Sequence, residues 1–202
     1  MSGIFICIEG LDGSGKSTQA KLLTKRLCKE GYNAVFTAEP SKGKIGLFIR
    51  KRLFEKERLP TAVEALLFAA DRIEHVQQVI VPALQEGKIV ISDRYVYSSL
   101  AYQGSAGLSL DWIETINNTA KNPDLSIFID VAPETVLERL KRKKSVMENL
   151  QTQRRVHEIY LKYVEKGLLK RVDGSKDKNA VLEALYSEVV LFLKKVEPKK
   201  VD

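Results

Sequence analysis

Cysteine is scarce: Cys7 and Cys28 are the only two in 202 residues. Their separation matches neither the paired spacing of a zinc site nor a disulfide framework, so reduced thiols are expected. Long hydrophobic runs are missing as well. No stretch approaches the roughly 18 apolar residues of a membrane span, and no basic segment precedes the first apolar run as it would in an export signal, so a cytoplasmic protein without a membrane partner is expected. Internal repeats, low-complexity tracts and linker-like stretches are absent too, and residues 1–202 are expected to form one domain. At 44% hydrophobic content a chain of this length can bury one sizeable core. Acidic residues are the minority, 26 against 33 Lys and Arg, which leaves a net charge of +7. That balance suits a nucleic-acid binder or a protein whose ligands are polyanionic nucleotides, and charge alone does not choose between them.

What is present begins with the apolar run Ile4-Phe5-Ile6-Cys7-Ile8 and, one residue on, Gly10-Leu11-Asp12-Gly13-Ser14-Gly15-Lys16-Ser17. This is the spacing of a phosphate-binding loop. Glycines let successive backbone N–H groups wrap a polyphosphate, Lys16 can reach the β- and γ-phosphates, and the Ser17 hydroxyl can ligate Mg²⁺. Thr18 adjoins the loop and belongs with it as a candidate ATP contact. The following segment, with Leu22, Leu23 and Leu27 at helical spacing, would aim a helix N-terminus at the same anion. The elements of a guanine-nucleotide switch are missing: there is no Asn-Lys-x-Asp, and the one Asp-x-x-Gly lies inside the loop, Asp12 to Gly15.

Strand-like runs recur at Ile4–Ile8, Ala34–Thr37, Ile89–Ser92, Ser126–Val131 and Leu168–Val172, with helical patterns between them. Such alternation predicts an α/β fold, a five-stranded parallel sheet with helices on both faces. The first four runs lack period-2 polarity, as strands buried on both sides do, while Lys170 and Arg171 mark the fifth as an edge. In such sheets ligands bind beyond the carboxyl ends of the strands. Glu39, before Pro40, falls there after the second strand, and Asp93-Arg94-Tyr95 after the third. Asp93 could orient Mg²⁺ through water, and Arg94 could grip a phosphate. Ile45 to Phe54 reads as a helix carrying Arg50, Lys51 and Arg52. Thr61 to Leu84 reads as a long helix with a core stripe of Val63, Leu66, Leu67, Ala70 and Ile73, which Pro82 kinks or breaks. Phe68 and Arg72 lie off that stripe, one turn apart, where a ring and a guanidinium could hold a planar base. The segment Tyr97 to Gly104 offers hydroxyls and an amide that could read a sugar or base. After the fourth strand, Pro133 opens a helix that runs into Arg139, Lys141, Arg142, Lys143 and Lys144, cations able to clamp a transferring phosphoryl group.

Taken together, Ile8-Glu9-Gly10 through Ser17, Glu39-Pro40, Phe68-Ala69-Ala70-Asp71-Arg72, Asp93-Arg94-Tyr95 and Ala101-Tyr102-Gln103-Gly104 resemble thymidylate kinases in order and spacing, over nearly the whole chain. The resemblance implies a P-loop NTPase fold of three layers, α/β/α, with a short helical lid at about 139–152. It implies ATP and Mg²⁺ as cofactors, dTMP as acceptor, nucleotides rather than nucleic acid as partners, and a homodimer. By the same resemblance, Phe68 stacks on thymine, Arg72 and Ser99 read the base, and Arg50 and Arg94 hold the acceptor phosphate. Tyr102 crowds the ribose 2′ position, Asp12 lies near the 3′-hydroxyl, and Glu39 and Gln103 join the acceptor site. Lys16, Arg94, Asp12 and a lid arginine, Arg142, form the catalytic set, because the loop itself contains no arginine. Two positions depart from the family pattern: Ala38 stands where many members have arginine before Glu-Pro, and no Asp-Arg-x-Glu follows Lys144. A related kinase acting on dUMP, UMP, CMP or a deoxynucleoside is the nearest alternative reading; a nucleic-acid-binding ATPase or a regulatory nucleotide binder is the alternative from another class.

Overall fold

A computed structural model describes residues 3–53, 55, 59–140 and 149–196. Five strands, β1 (Ile4–Gly10), β2 (Ala34–Ala38), β3 (Ile89–Asp93), β4 (Leu125–Asp130) and β5 (Lys170–Asp173), pair in parallel in the order β2-β3-β1-β4-β5. Strands β3 and β4 are buried at every position and β1 at all but its first, which is why their sequences show no alternation. In β5 only Val172 is buried; Lys170 and Arg171 face solvent, as an outer strand requires.

The connections are α1 (Lys16–Lys29), α2 (Lys44–Arg52), α3 (Thr61–His75), a π-helical turn (Val76–Ile80), α4 (Val81–Gln85), α5 (Val96–Ser105), α6 (Leu110–Ile116), α7 (Pro133–Leu140), α8 (Leu150–Glu165) and α9 (Lys178–Val196). Ile6 and Ile8 of β1 share a buried cluster with Leu23 and Leu27 of α1 and Leu185 and Val189 of α9. Phe5 and Cys7, alternate residues of the same strand, join Val76, Ile80 and Leu84 in a second cluster. Helices therefore cover both faces of the sheet. Pro82 interrupts the long helical segment as expected: it has no N–H to give the preceding turn, and the backbone widens into the π-helical turn before α4 restarts. Cys7 is buried, Cys28 is exposed, and both are free thiols. Among the described residues no helix is long and apolar enough to cross a membrane.

One expectation is overturned. Of the five residues predicted to face the core from α3, three face outward, Val63, Leu66 and Ile73 at 41%, 49% and 39% exposed, while Leu67 and Ala70 are half-buried. The buried face is instead Ala65, Ala69, Asp71, Arg72 and His75. Two alanines let α3 approach α2 and α5 closely, and the polar residues beyond them are buried because they find partners at the end of β2, in the loop that follows it, on α5 and at Asn117. Apolar periodicity alone cannot tell a core face from an interaction face when the true core face is built from small residues and paired charges.

Candidate active site

The register aligns Ile8 of β1 with Asp93 of β3, and Asp93 with Ala38 of β2, so these three strands end side by side. Their carboxyl ends deliver Gly10-Leu11-Asp12, Ala38-Glu39 and Asp93-Arg94 to one edge. The loop between β1 and α1 turns through Gly13 and Gly15, both in left-handed backbone at φ 86° and 91°. A Cβ on Gly13 would stand 2.8 Å from Leu140 Cγ of α7. Helix α1 begins at Lys16 with no side-chain cap and no acidic residue in its first turn, which leaves its N–H groups to an anion. Ser17 and Thr18 are exposed in that turn.

Lys16 is buried, its ammonium 3.2 Å from Leu11 O and 3.1 Å from Asp12 Oδ1. The same Asp12 oxygen accepts from Arg94 Nη2 at 2.5 Å. Burial lowers the pKa of Lys16, with Arg94 acting in the same direction and Asp12 opposing. Burial alone would raise the Asp12 carboxyl, but Arg94 and then Lys16 outweigh it and hold it well below the usual carboxylate range. Tyr102 completes the junction: its hydroxyl accepts the Asp12 N–H at 2.9 Å and faces Arg94 Nη2 at 3.3 Å, with the guanidinium 4.8 Å from its ring centre.

Arg94 has left-handed backbone, φ 74°, unusual for a residue with a side chain. Its N–H bonds Ile8 O at 3.0 Å, and its Nη1 reaches Ser98 Oγ at 2.8 Å. The support beneath it is Glu9, fully buried on β1. Glu9 accepts the N–H groups of Tyr95 and Ser98 at 2.8 and 3.3 Å, the Ser98 hydroxyl at 2.6 Å and the Tyr160 hydroxyl of α8 at 3.0 Å. Helix α5 has no cap of its own, and a carboxylate from another strand serves instead. Burial raises the pKa of Glu9 while these hydrogen bonds lower it, and burial prevails.

The second cluster lies after β2, where the Glu39-Pro40 peptide bond is cis. Arg72, 1% exposed, donates to Glu39 Oε2 from Nε at 3.0 Å and from Nη2 at 2.7 Å, to Ser99 Oγ from Nη2 at 3.1 Å, and to Asn117 Oδ1 from Nη1. The ring beside its guanidinium is that of Tyr95, 5.1 Å away. Phe68 instead lines a small cavity with Ile49, Leu53, Leu59 and Leu67 between α2 and α3. Asp71 shapes the intervening loop by accepting the Ser41 N–H at 2.7 Å and its hydroxyl at 2.5 Å. Arg50, exposed, donates to Pro40 O and to Ser41 O.

Among the described residues, the buried oxygens near these clusters with no hydrogen-bond partner include Gln103 Oε1 on α5 and Asp93 Oδ1 at the end of β3, along with Ser14 Oγ of the loop and the Tyr95 hydroxyl. A carboxylate oxygen left unpaired at the end of β3 and the exposed Ser17 hydroxyl in the first turn of α1 are the hard oxygens that Mg²⁺ accepts, so the chemistry of these residues fits the ion. Sequence reasoning did not assign Glu9, His75, Asn117 or Tyr160; each is a buried polar group, and their partners lie too far along the chain for spacing to reveal. Of the predicted lid, Arg139 is seen, its Nη2 3.5 Å from Gly174 O, while Lys141, Arg142, Lys143 and Lys144 lie outside the described residues.

The Asp12 pairing carries a pH signature. Its carboxyl titrates lower in the folded chain than in the unfolded one, so its contribution to stability is present above about pH 4 and is lost as pH falls below that value. Asp12→Asn should therefore lower Tm at pH 7, and the gap from the parent protein should narrow steadily below about pH 4. Thermal unfolding of both proteins across that range checks this; a gap that does not change with pH contradicts it.

The family model for thymidylate kinase matches residues 8–185. A probable thymidylate kinase of Pyrococcus horikoshii is 42% identical over 202 residues, covering 96% of this chain and 97% of the relative. One from Thermococcus gammatolerans is 46% identical over 174 residues, covering 81% and 84%. A thymidylate kinase of Halothermothrix orenii is 37% identical over 201 residues, covering 94% and 97%. With the phosphate loop, the parallel sheet and the paired cationic clusters in place, this chain belongs to the thymidylate kinase family and is an enzyme of the P-loop nucleoside monophosphate kinase class.

Proposed function

We propose that the site transfers the γ-phosphoryl group of ATP to the phosphate of dTMP, giving ADP and dTDP. The observation that carries this reading is the Asp12 carboxylate shared by Lys16, the cation of the loop, and Arg94, the cation at the end of β3. Two phosphate-binding cations a few ångströms apart suit a site that brings two anions together. Lys16 and the loop amides would hold the β- and γ-phosphates of the donor. Ser17 and, through water, Asp93 would hold Mg²⁺, which when bound neutralises charge on the β- and γ-oxygens. Arg94 and Arg50 would draw the acceptor phosphate in and offset its repulsion from the donor. The attacking phosphate oxygen is already ionised near neutral pH, so no general base is needed and positioning supplies the catalysis.

On the acceptor side, Phe68 would stack on the base, and Gln103 Oε1, Ser99 and Arg72 would read its edge. Tyr102, pinned to the Asp12 backbone, would close the space beside the ribose 2′ carbon, and Asp12 would face the 3′-hydroxyl. Arg142, with Arg139, is the proposed lid cation on the sequence argument. Lid closure would exclude water and suppress hydrolysis of ATP.

The outward face of α2 and α3 supports a homodimer. Leu47, Phe48, Leu53, Val63, Leu66 and Ile73 are 39% to 56% exposed, and a patch of this kind is what a second copy would cover.

ADP release measured against dTMP, dUMP, UMP, CMP and thymidine, with single-stranded DNA and RNA as further additions, tests the activity. Stimulation is expected to be strongest with dTMP; stimulation by nucleic acid alone would overturn the reading. Lys16→Ala should lower kcat by about a hundredfold or more, while Phe68→Ala should chiefly raise the KM for dTMP, and an unchanged KM would remove its stacking role. Sedimentation should give twice the chain mass, with Leu66→Asp shifting it to one. A monomeric parent protein counts against the dimer.

A further inference from the structure

Behind Glu39 lies a histidine that the proposed mechanism does not use. His75 closes α3, 2% exposed, with both ring nitrogens occupied: Nδ1 is 3.1 Å from Glu39 Oε1, and Nε2 is 2.5 Å from Thr37 Oγ1 of β2. A carboxylate only accepts, so Nδ1 carries the proton; a neutral ring then accepts the Thr37 hydroxyl at Nε2. With both nitrogens held inside the protein, the ring touches no substrate.

Its consequence lies in how Glu39 meets Arg72. Both Arg72 contacts, from Nε and from Nη2, fall on the single oxygen Oε2. A free carboxylate facing that edge of a guanidinium offers one oxygen to each nitrogen, the two-bond fork that is strongest for this pair. His75 withholds the second oxygen. Arg72 has five N–H bonds. Two go to Glu39 Oε2, one to Ser99 and one to Asn117, which leaves one on Nη1. The direction of that last N–H depends on how the guanidinium is turned. We infer that His75, braced by Thr37, is a positioning residue for acceptor recognition: by holding Glu39 Oε1 it keeps Arg72 in the one-oxygen pairing that aims its remaining Nη1 hydrogen at the base. Without it the carboxylate rotates into the two-oxygen fork, the guanidinium turns with it, and the base loses a donor while the phosphate loop is untouched.

The inference rests on the assignment of Arg72 to the acceptor base, and the experiment separates the two. Steady-state kinetics of purified full-length His75→Ala should show a KM for dTMP raised roughly tenfold, the scale of one misplaced charge-assisted hydrogen bond, with kcat and the KM for ATP within about twofold. His75→Asn places an amide N–H near the lost Nδ1–H and should restore most of the dTMP affinity. Should His75→Ala not fold, Thr37→Val removes only the brace on Nε2 and should raise the dTMP KM about threefold with the ATP KM unchanged. A purely structural role would lower Tm and kcat without a selective rise in the dTMP KM, or would show no rescue by Asn, and either result overturns the inference. Arg72→Ala is the control. If it raises the dTMP KM and the His75 and Thr37 variants do not, the positioning role fails alone; if Arg72→Ala leaves the KM unchanged, the base-reading assignment fails and the positioning role with it.

Discussion

One carboxylate oxygen joins the two halves of this site. Asp12 Oδ1 lies 3.1 Å from Lys16 Nζ and 2.5 Å from Arg94 Nη2, so the cation of the phosphate loop and the cation at the end of β3 are held close together by a single negative charge between them. Unshielded, two cations this close would repel each other and disfavour burial of Lys16. With Asp12 between them, that repulsion is offset by attraction to the shared carboxylate. Tyr102 fixes the Asp12 backbone from α5, and Glu9 fixes the start of α5, so the junction is braced from β1, β3 and α5 together.

A buried carboxylate also organises the acceptor side. Arg72 is buried among Glu39, Ser99 and Asn117, and Glu39 is balanced between Arg72 and His75. A lone buried charge at either place would be costly; each is tolerated because its hydrogen-bonding capacity is almost filled, and what is left over points to a ligand. The unpaired oxygens of Gln103 and Asp93 belong to the same pattern.

Much of this was legible in the residues. Strand positions and the edge character of Lys170-Arg171 follow from short apolar runs, and the loop from Gly10 to Ser17 declares itself by spacing. The side chains at the strand ends, Glu39, Asp93 and Arg94, follow from the rule that α/β sheets bind ligands there. What was not legible has two physical sources. Helix α3 buries alanines and paired charges and exposes Leu66 and Ile73, reversing the usual inference from apolar spacing. The supporting polar groups are paired across long sequence gaps, Glu9 with Tyr160 and Thr37 with His75, and no local pattern reports a contact of that kind.

In the proposed mechanism Arg94 answers to the acceptor phosphate while Lys16 answers to the donor, with Asp12 keeping them adjacent. Calorimetric titration of dTMP and of thymidine into the parent protein and into Arg94→Met tests it most directly, because the two ligands differ only by the phosphate. Arg94→Met should remove most of the affinity advantage of dTMP over thymidine, about thirtyfold or more for a charge-assisted pair, and leave thymidine and ATP binding nearly unchanged. A dTMP advantage that survives the substitution intact, or an equal loss for ATP, would contradict it.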